Sequence, residues 1–563
     1  MKKGFVALVF IFIFFTSFVD NEFKISKSLD IFFNLFKEVN YNYVDDVDPE
    51  KMIKSAIDGM LKSLDPYTTF IPESELEDFR FQTTGQYGGI GALIRKLDDY
   101  VVIAEPYKNS PAAKAGLKAG DKIVEVDGKN ALRKDVSDVS ESLKGTPGTT
   151  VEVLIERPGV EKPLKIKILR EKITIPNVPY YGIIHDSIGY IRLTNFTTDA
   201  GKEVAEATNS LKKRHARYII LDLRNNPGGL LSEAVEVVNC FIPANQLVVF
   251  TKGKIKEACK QYFTVNDPVD TIIPLAVLVN RGTASAAEIV AGSLQDLDRA
   301  IIIGQRTFGK GLVQSTRPLS YNTQLKVTTA KYYIPSGRCI QAVDYSHRNE
   351  DGSVGYIPDS LIKEFHTKVG RKVYDGGGIV PDIKTNYERL SDLAFNLYTK
   401  NYIFNYATLF VQKNNSIPLP EKFQINDYIY NDFIDFLKNK DFDYKTKTEE
   451  HFNNLVNIAQ KEKYFDIAEN EFKALKDKIK HDKQKDLITF RPEIEKIIAD
   501  EIIGRYYFQE GKIRYNIAYD KEIDTTIQVL CNKTKYLNIL SGKENNVSQK
   551  DYSNENSDSE FDE

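Results

Sequence analysis

Two residues in the middle of this chain carry side chains suited to chemistry, each at a break between apolar runs. Lys310 lies in Gly304-Gln305-Arg306-Thr307-Phe308-Gly309-Lys310-Gly311, directly after Ala300–Ile303, which reads as a buried strand. Ser285 stands 25 positions upstream, where a loop after the apolar run ending at Val279 meets a helix of small residues. The lysine segment matches most of a phosphate-binding loop, G-x-x-x-x-G-K-[ST]. It fails in two places. Gly311 stands where a Ser or Thr would ligate magnesium, and the following residues reach Pro318 too soon to build the helix whose amides cradle phosphate. A nucleotide site is set aside on both counts.

A serine at a helix start can be an N-cap or a nucleophile, and by itself Ser285 reads as a cap. As a nucleophile it needs a base. The six histidines are His185, His215, His347, His366, His451 and His481, and none lies in a motif with a partner carboxylate. A lysine can replace histidine when burial or nearby positive charge lets it lose its proton. Phe308 and the strand before it offer a low-dielectric wall for Lys310, and Gly309 and Gly311 allow a tight turn that brings the amine toward the serine. The chemistry these two residues suit is nucleophilic attack by a serine with a lysine as base.

The segments "LDLRNNPGGLL", "NRGTASAAEIVAGSLQD", "GQRTFGKGLVQ" and "GGGIVPDI" are similar, in order and spacing, to the core motifs of the carboxyl-terminal processing proteases. These tail-specific proteases are Ser/Lys serine endopeptidases that carry a PDZ domain. "LDPYTTFIP" resembles their segment before the PDZ module, and the likeness runs from about residue 30 to 385. The resemblance implies Ser285 as nucleophile, Lys310 as general base and Gln314 as the residue that orients the lysine. It implies an oxyanion hole from the backbone N–H groups of Gly229 and Ala286, where a side chain at residue 229 would obstruct substrate. Asp296 matches an acidic position of the family and equally suits a carboxylate at a helix end. Gly88, Gly89, Ile90 and Gly91 match the PDZ loop whose amides hold a peptide carboxylate, with Ile90 and Leu93 beside it for an apolar C-terminal side chain. Ala287 and Tyr67 depart from the family pattern, where Ser and His are commoner, and neither removes a catalytic group.

The elements that must position these residues follow from the pattern. Residues 1–20 read as a signal peptide or membrane anchor: Lys2 and Lys3 precede an apolar run from Phe5 to about Val19. Residues 21–83 have helical spacing, ending at Pro66 and Pro72. Residues 84–172 form a β-rich module with a short helix capped by Ser110 and an Asp-Gly turn after "DKIVEV". Residues 173–385 alternate strands and helices, with "YIILDLRNN", "LAVLVN", "AIIIG" and "QLKVTTAKYYI" as strands. Residues 386–540 are a helical extension in which "EEHFNNLVNIAQKEKYFDIAENEFKALKDKI" reads as an amphipathic helix, and 541–563 are an acidic, disordered tail. The fold class is α+β multidomain; the resemblance implies a protease core with crotonase/ClpP-like layers of sheet and helix.

At 563 residues, 42% hydrophobic and 28% charged, the chain can bury several cores. A net charge of −3 gives no global basic field for nucleic acid. Cys240, Cys259, Cys339 and Cys531 lie far apart, which excludes the usual zinc and thioredoxin patterns. The expectation is an exported endopeptidase, periplasmic or membrane-anchored facing outward, that takes proteins with exposed apolar C-termini and needs no cofactor. The rival reading is a catalytically silent PDZ scaffold, which would require a broken Ser/Lys pair. Inner-membrane association, oligomeric state and the role of the extension stay open.

Overall fold

Strands that are apolar at every position must be covered on both faces. Three of the apolar runs meet that demand in one six-stranded sheet, ordered Tyr180–Ile184, Ile188–Arg192, Tyr218–Asp222, Leu275–Val279, Ile301–Gly304 and Ile383–Lys384. The first pair is antiparallel and the rest are parallel. The structure is a computed structural model describing residues 2–349, 351–386, 389–444, 446–480, 482–544 and 551; for 2–21 it describes the backbone alone. The chain divides into two compact units, Met1–Glu73 with Gln314–Thr328, and Ser74–Val313 with Thr329–Glu563.

The six-stranded sheet lies in the larger unit. On one face Ile219, Leu221, Val277 and Ile302 pack under the helices Ala200–Lys213, Leu231–Asn239 and Ala286–Asp296. On the other face Ile220, Leu278, Ile301 and Ile303 meet Ile523, Val529, Leu530 and Ile539. Those residues belong to the helices Lys521–Cys531 and Lys533–Leu540. The end of the helical extension thus completes the core of the central sheet. The rest of the extension has its own core around Leu397, Tyr406, Phe433, Ile498 and Ile502.

The β module is an antiparallel sheet ordered Ala92–Leu97, Tyr100–Pro106, Lys122–Val126, Thr150–Glu156 and Leu164–Leu169. Alternate residues Val151, Val153 and Ile155 turn into its core, as the period-two pattern requires. Ser110 caps the helix Pro111–Lys114 through Ala113 N–H at 3.2 Å. The Asp127-Gly128 turn has positive φ at both residues. Leu97 and Val102 of this sheet share a buried cluster with Phe404 of the extension.

Two expectations change. The long amphipathic helix is two helices, Lys447–Lys461 and Glu469–Ile479. The chain reverses after Lys463 (φ 64°), and Phe472 packs on Phe452 and Phe465, so the apolar stripe satisfies itself across a hairpin. "QLKVTTAKYYI" lies outside the central sheet: Ala330–Tyr333 pairs antiparallel with Phe250–Gly253.

In the smaller unit Asp48 caps the helix Pro49–Lys62 through Glu50 N–H at 3.0 Å. Asp65 holds the turn after it by accepting Tyr67 and Thr68 N–H at 2.8 Å each. Thr69–Ile71 pairs antiparallel with Gln324–Lys326. The apolar N-terminal run falls within the helix Lys2–Asn42, and its side chains lie outside the described residues. Among the described residues no helix is long and apolar enough to cross a membrane. The acidic tail lies almost wholly outside the described residues.

If the extension completes the central core, Ile523→Ala, at a fully buried position, should cost about 2–5 kcal/mol. Urea unfolding followed by a probe of the central sheet measures it; a loss under about 0.5 kcal/mol contradicts this packing.

Candidate active site

Three neighbouring parallel strands end side by side, and the loops after them bring the candidate residues together. The loop after Tyr218–Asp222 carries Gly229, the loop after Leu275–Val279 leads to Ser285, and the turn after Ile301–Gly304 carries Lys310. Ser285 adopts φ 56°, ψ −118°, a conformation that costs a non-glycine residue about 1–3 kcal/mol. The helix start has the pairing of a capping box: Glu288 N–H goes to the Ser285 carbonyl at 2.8 Å and Ser285 N–H to the Glu288 carboxylate at 2.8 Å.

Glu288 binds the serine and lysine segments to each other. Its Oε2 accepts Ser285 N–H at 2.8 Å and Lys310 N–H at 2.9 Å. Its Oε1 accepts Gly309 N–H at 2.7 Å and the Thr307 hydroxyl at 2.5 Å. Glu288 is fully buried. Burial pushes its carboxyl up to about 7, against the opposing pull of Thr307, Lys310, Gly309 and Ser285.

Tyr332 repeats the link through carbonyls. Its hydroxyl donates to Lys310 O at 2.6 Å and lies 3.2 Å from Ser285 O. The turn is further fixed by Gly311 N–H to Gln341 Oε1 at 2.7 Å and Ala342 N–H to Gly309 O at 2.9 Å. A methyl on Gly309 would stand 2.6 Å from Ala342 Cβ, and one on Gly311 2.8 Å from Gln341 N. Close backbone approach is the reason for both glycines.

The glycine-rich loop lies against the serine. A methyl on Gly228 would come within 2.8 Å of Ala286 N and Ser285 Cβ. Fully buried Asn226 ties the two loops: its carbonyl accepts Ala284 N–H at 2.9 Å and its Oδ1 accepts Gly228 N–H at 2.9 Å. Among the described residues neither Gly229 N–H nor Ala286 N–H has an acceptor. Gly229 has φ 146°, and a Cβ there would strike Phe196 O at 2.4 Å, which by itself requires glycine at this position.

Other expectations shift. Phe308 is 53% exposed, its N–H held by Thr283 O at 3.0 Å, so it does not wall the turn from water. Asp296 pairs with Arg338 at 2.8 Å, both side chains fully buried, and accepts Ser336 N–H at 3.0 Å, which is a structural task. His347 does find a carboxylate: its Nδ1 contacts Asp344 at 2.7 Å and Ser346 at 3.1 Å. One nitrogen serves both partners on an 87% exposed side chain, which is no relay. Gln314 belongs to the smaller unit, where its Nε2 donates to Thr328 Oγ1 at 3.1 Å.

In the β module, Gly88 and Gly89 form a short strand against Lys172 and Glu171. Ile90 is buried in the module's core, while Leu93 is 52% exposed. Only Leu93 is therefore available to an incoming side chain. The strand Ala92–Leu97 that follows is the sheet's edge, with the helix Val136–Leu143 packed near it. An edge strand beside a helix can accept an added peptide strand. Tyr87 was not anticipated: its ring lies on Gly89, and the amides of Gly91 and Ala92 face its hydroxyl, whose pKa burial raises.

With this geometry in hand, the comparisons with known proteins are specific. A family model described as Peptidase family S41 matches residues 187–347, and one described as PDZ domain matches 102–157. A third, described as "Probable PDZ-protease, C-terminal helical domain", matches 393–530. The carboxy-terminal-processing protease of Bartonella bacilliformis is 37% identical over 349 residues, 61% of this chain and 77% of that protein. The "Probable CtpA-like serine protease" of Staphylococcus aureus is 33% identical over 440 residues, 76% of this chain and 84% of that protein. A solved photosystem II D1 C-terminal processing protease is 29% identical, covering 64% of this chain and 93% of that one, with a TM-score of 0.34.

Ionised Glu288 offers lone pairs to all four donors; its protonated form does not. Turnover should fall as pH drops through about 7. Stability moves the other way: the folded carboxyl keeps its proton to about 7 and the unfolded one to about 4.5, so this group's contribution is present below about 4.5 and lost as pH rises to about 7. Glu288→Gln sets an amide against amide donors and should lower kcat about 10–100-fold above about pH 7, the equivalent of one unsatisfied donor, and remove the fall in turnover below it. Full activity in that variant excludes the clamp. Tyr332→Phe should lower kcat about tenfold while leaving KM within about twofold, and a change confined to KM contradicts its role.

Proposed function

This chain belongs to the carboxyl-terminal processing proteases of peptidase family S41, and from that premise we propose that Ser285 and Lys310 are its nucleophile and general base. The observation that carries the reading is the double link between them: the Glu288 carboxylate on the N–H groups of Ser285 and Lys310, and the Tyr332 hydroxyl between their carbonyls. A link of this kind sets the separation of the two residues by backbone, which an orienting role requires.

In this mechanism the neutral Lys310 amine takes the proton from Ser285 Oγ as the oxygen attacks the scissile carbonyl. Negative charge develops on the carbonyl oxygen. The Gly229 and Ala286 N–H groups stabilise it, each worth about 3 kcal/mol in such a role. As the tetrahedral intermediate collapses, the lysine ammonium protonates the departing amine, leaving an acyl-enzyme on Ser285. Water then attacks the ester, again with Lys310 as base, and releases the second product. The family pattern gives Gln314 the task of orienting the lysine amine.

The PDZ module would supply selection. An extended C-terminus adds to the edge strand Ala92–Leu97, its carboxylate at the Gly88–Gly91 loop and its last side chain near Leu93. Substrates are therefore proteins with exposed apolar C-termini. Export rests on the N-terminal sequence, Lys2 and Lys3 before an apolar run. Cell fractionation of a tagged chain tests it, with recovery in the cytosol contradicting it.

Ser285→Ala and Lys310→Ala should each abolish cleavage of an unfolded protein with an apolar C-terminus, while peptide binding to the PDZ module persists within about twofold of wild type. Cleavage at the wild-type rate by either purified variant overturns the assignment.

A further inference from the structure

Arg224 opens the loop that ends at Gly229, and it is held from two directions. From its own strand, fully buried Asp222 accepts its Nη2 at 2.6 Å and its Nε at 3.0 Å. Burial alone would raise the Asp222 carboxyl, but Arg192 and Arg224 beside it hold it well below the usual range. From the helical extension, Glu522 takes Arg224 Nη1 at 2.6 Å and Asp520 takes it at 2.7 Å. The Arg224, Asp520 and Glu522 side chains are 13%, 19% and 16% exposed, so this is not a solvated surface pair.

The carboxylates stand on a fixed post. Asp520 is the N-cap of the helix Lys521–Cys531, its Oδ1 accepting Glu522 N–H at 2.9 Å while its Oδ2 meets Arg224. Fully buried Ile523, one residue on from Glu522, anchors that helix to the back of the central sheet. Glu522 Oε1 is held by the Thr385 hydroxyl and by Gln305 Nε2 at 3.5 Å. Beyond Arg224 the loop has its own ties: Arg224 O accepts Arg192 Nη2 at 2.8 Å, and Asn225 N–H goes to Asn280 Oδ1 at 2.8 Å. The charged clamp therefore sets where the loop starts, and the Gly229 amide sits five residues downstream of it.

We infer that Asp520 and Glu522 are positioning residues for the peptidase reaction, holding through Arg224 the loop that presents the Gly229 N–H to the developing oxyanion. The inference rests on the assignment of Gly229 to the oxyanion hole. An oxyanion donor contributes through placement, and loss of one donor costs about 10²–10³ in kcat. Displacing it should cost transition-state stabilisation and little substrate binding.

The test uses the full-length chain with Glu522→Gln and Asp520→Asn, singly and together. Asn caps a helix about as well as Asp, so the second variant keeps its helix start. Three quantities are read: kcat and KM on a peptide substrate, the inhibition constant of a peptide aldehyde that forms a tetrahedral adduct with serine, and the binding of the same peptide to each variant in a Ser285→Ala background. The expected result is a fall in kcat of about tenfold or more and an equal loss of aldehyde affinity, with KM and peptide binding within about twofold. Arg224→Lys, which cannot span Asp222 and Glu522 together, should match Glu522→Gln, and the two changes combined should cost no more than either alone. The inference is overturned if kcat and aldehyde affinity stay within about twofold of wild type, or if KM alone moves. Activity persisting in Ser285→Ala itself would instead sink the catalytic assignment on which the inference rests.

Discussion

The structure around the candidate site depends on one buried carboxylate. Glu288 lies in the first turn of the helix that starts after Ser285, so it can reach back to the serine amide. A carboxylate without water must be met by donors or lose its charge. The donors here are the Ser285 amide and the three groups offered by Thr307, Gly309 and Lys310. Burying that group cleanly requires the turn after Ile301–Gly304 to fold against the helix start. The backbones of Ser285 and Lys310 are brought together as a consequence.

The same demand explains features that look unrelated in the sequence. Leu275–Val279 and Ile301–Gly304 must be parallel neighbours for their following loops to meet, and they are. Glycine at 309 and 311 lets the turn press on Gln341 and Ala342, and glycine at 228 lets the adjoining loop press on Ala286. Ligand sites of open α/β sheets form outside the carboxyl ends of parallel strands, and three neighbouring strands supply the loops here. The helical extension enters the same design by covering the back of that sheet and by holding Arg224.

The central strands were readable from their unbroken apolar runs, and the β-module hairpin Thr150–Glu156 with Leu164–Leu169 from its alternation. Ser285 and Lys310 stood out through the family motifs around them; taken alone, the serine reads as a helix cap. What escaped was long-range. Nothing local marks Tyr332 as the residue whose hydroxyl meets both Ser285 and Lys310 carbonyls, since its strand reads as an ordinary alternating one. The three contacts of Glu288 to the lysine turn depend on strand order. Phe308 looked like an apolar wall because its type suggests burial, whereas its backbone bond to Thr283 leaves the ring outside. The role of Asp520 and Glu522 was invisible because it joins positions about 300 residues apart, beyond the reach of any local pattern.

The central claim is that Lys310 activates Ser285 to form a covalent acyl-enzyme. The most direct measurement is rapid-quench intact mass with an activated peptide ester, followed by peptide mapping. The account predicts one acyl group per chain, on Ser285, in the wild-type protein, and none on the same timescale in Lys310→Ala. Acylation of Ser285 at an unchanged rate without the Lys310 amine, or acyl transfer to any other residue during productive turnover, would contradict it.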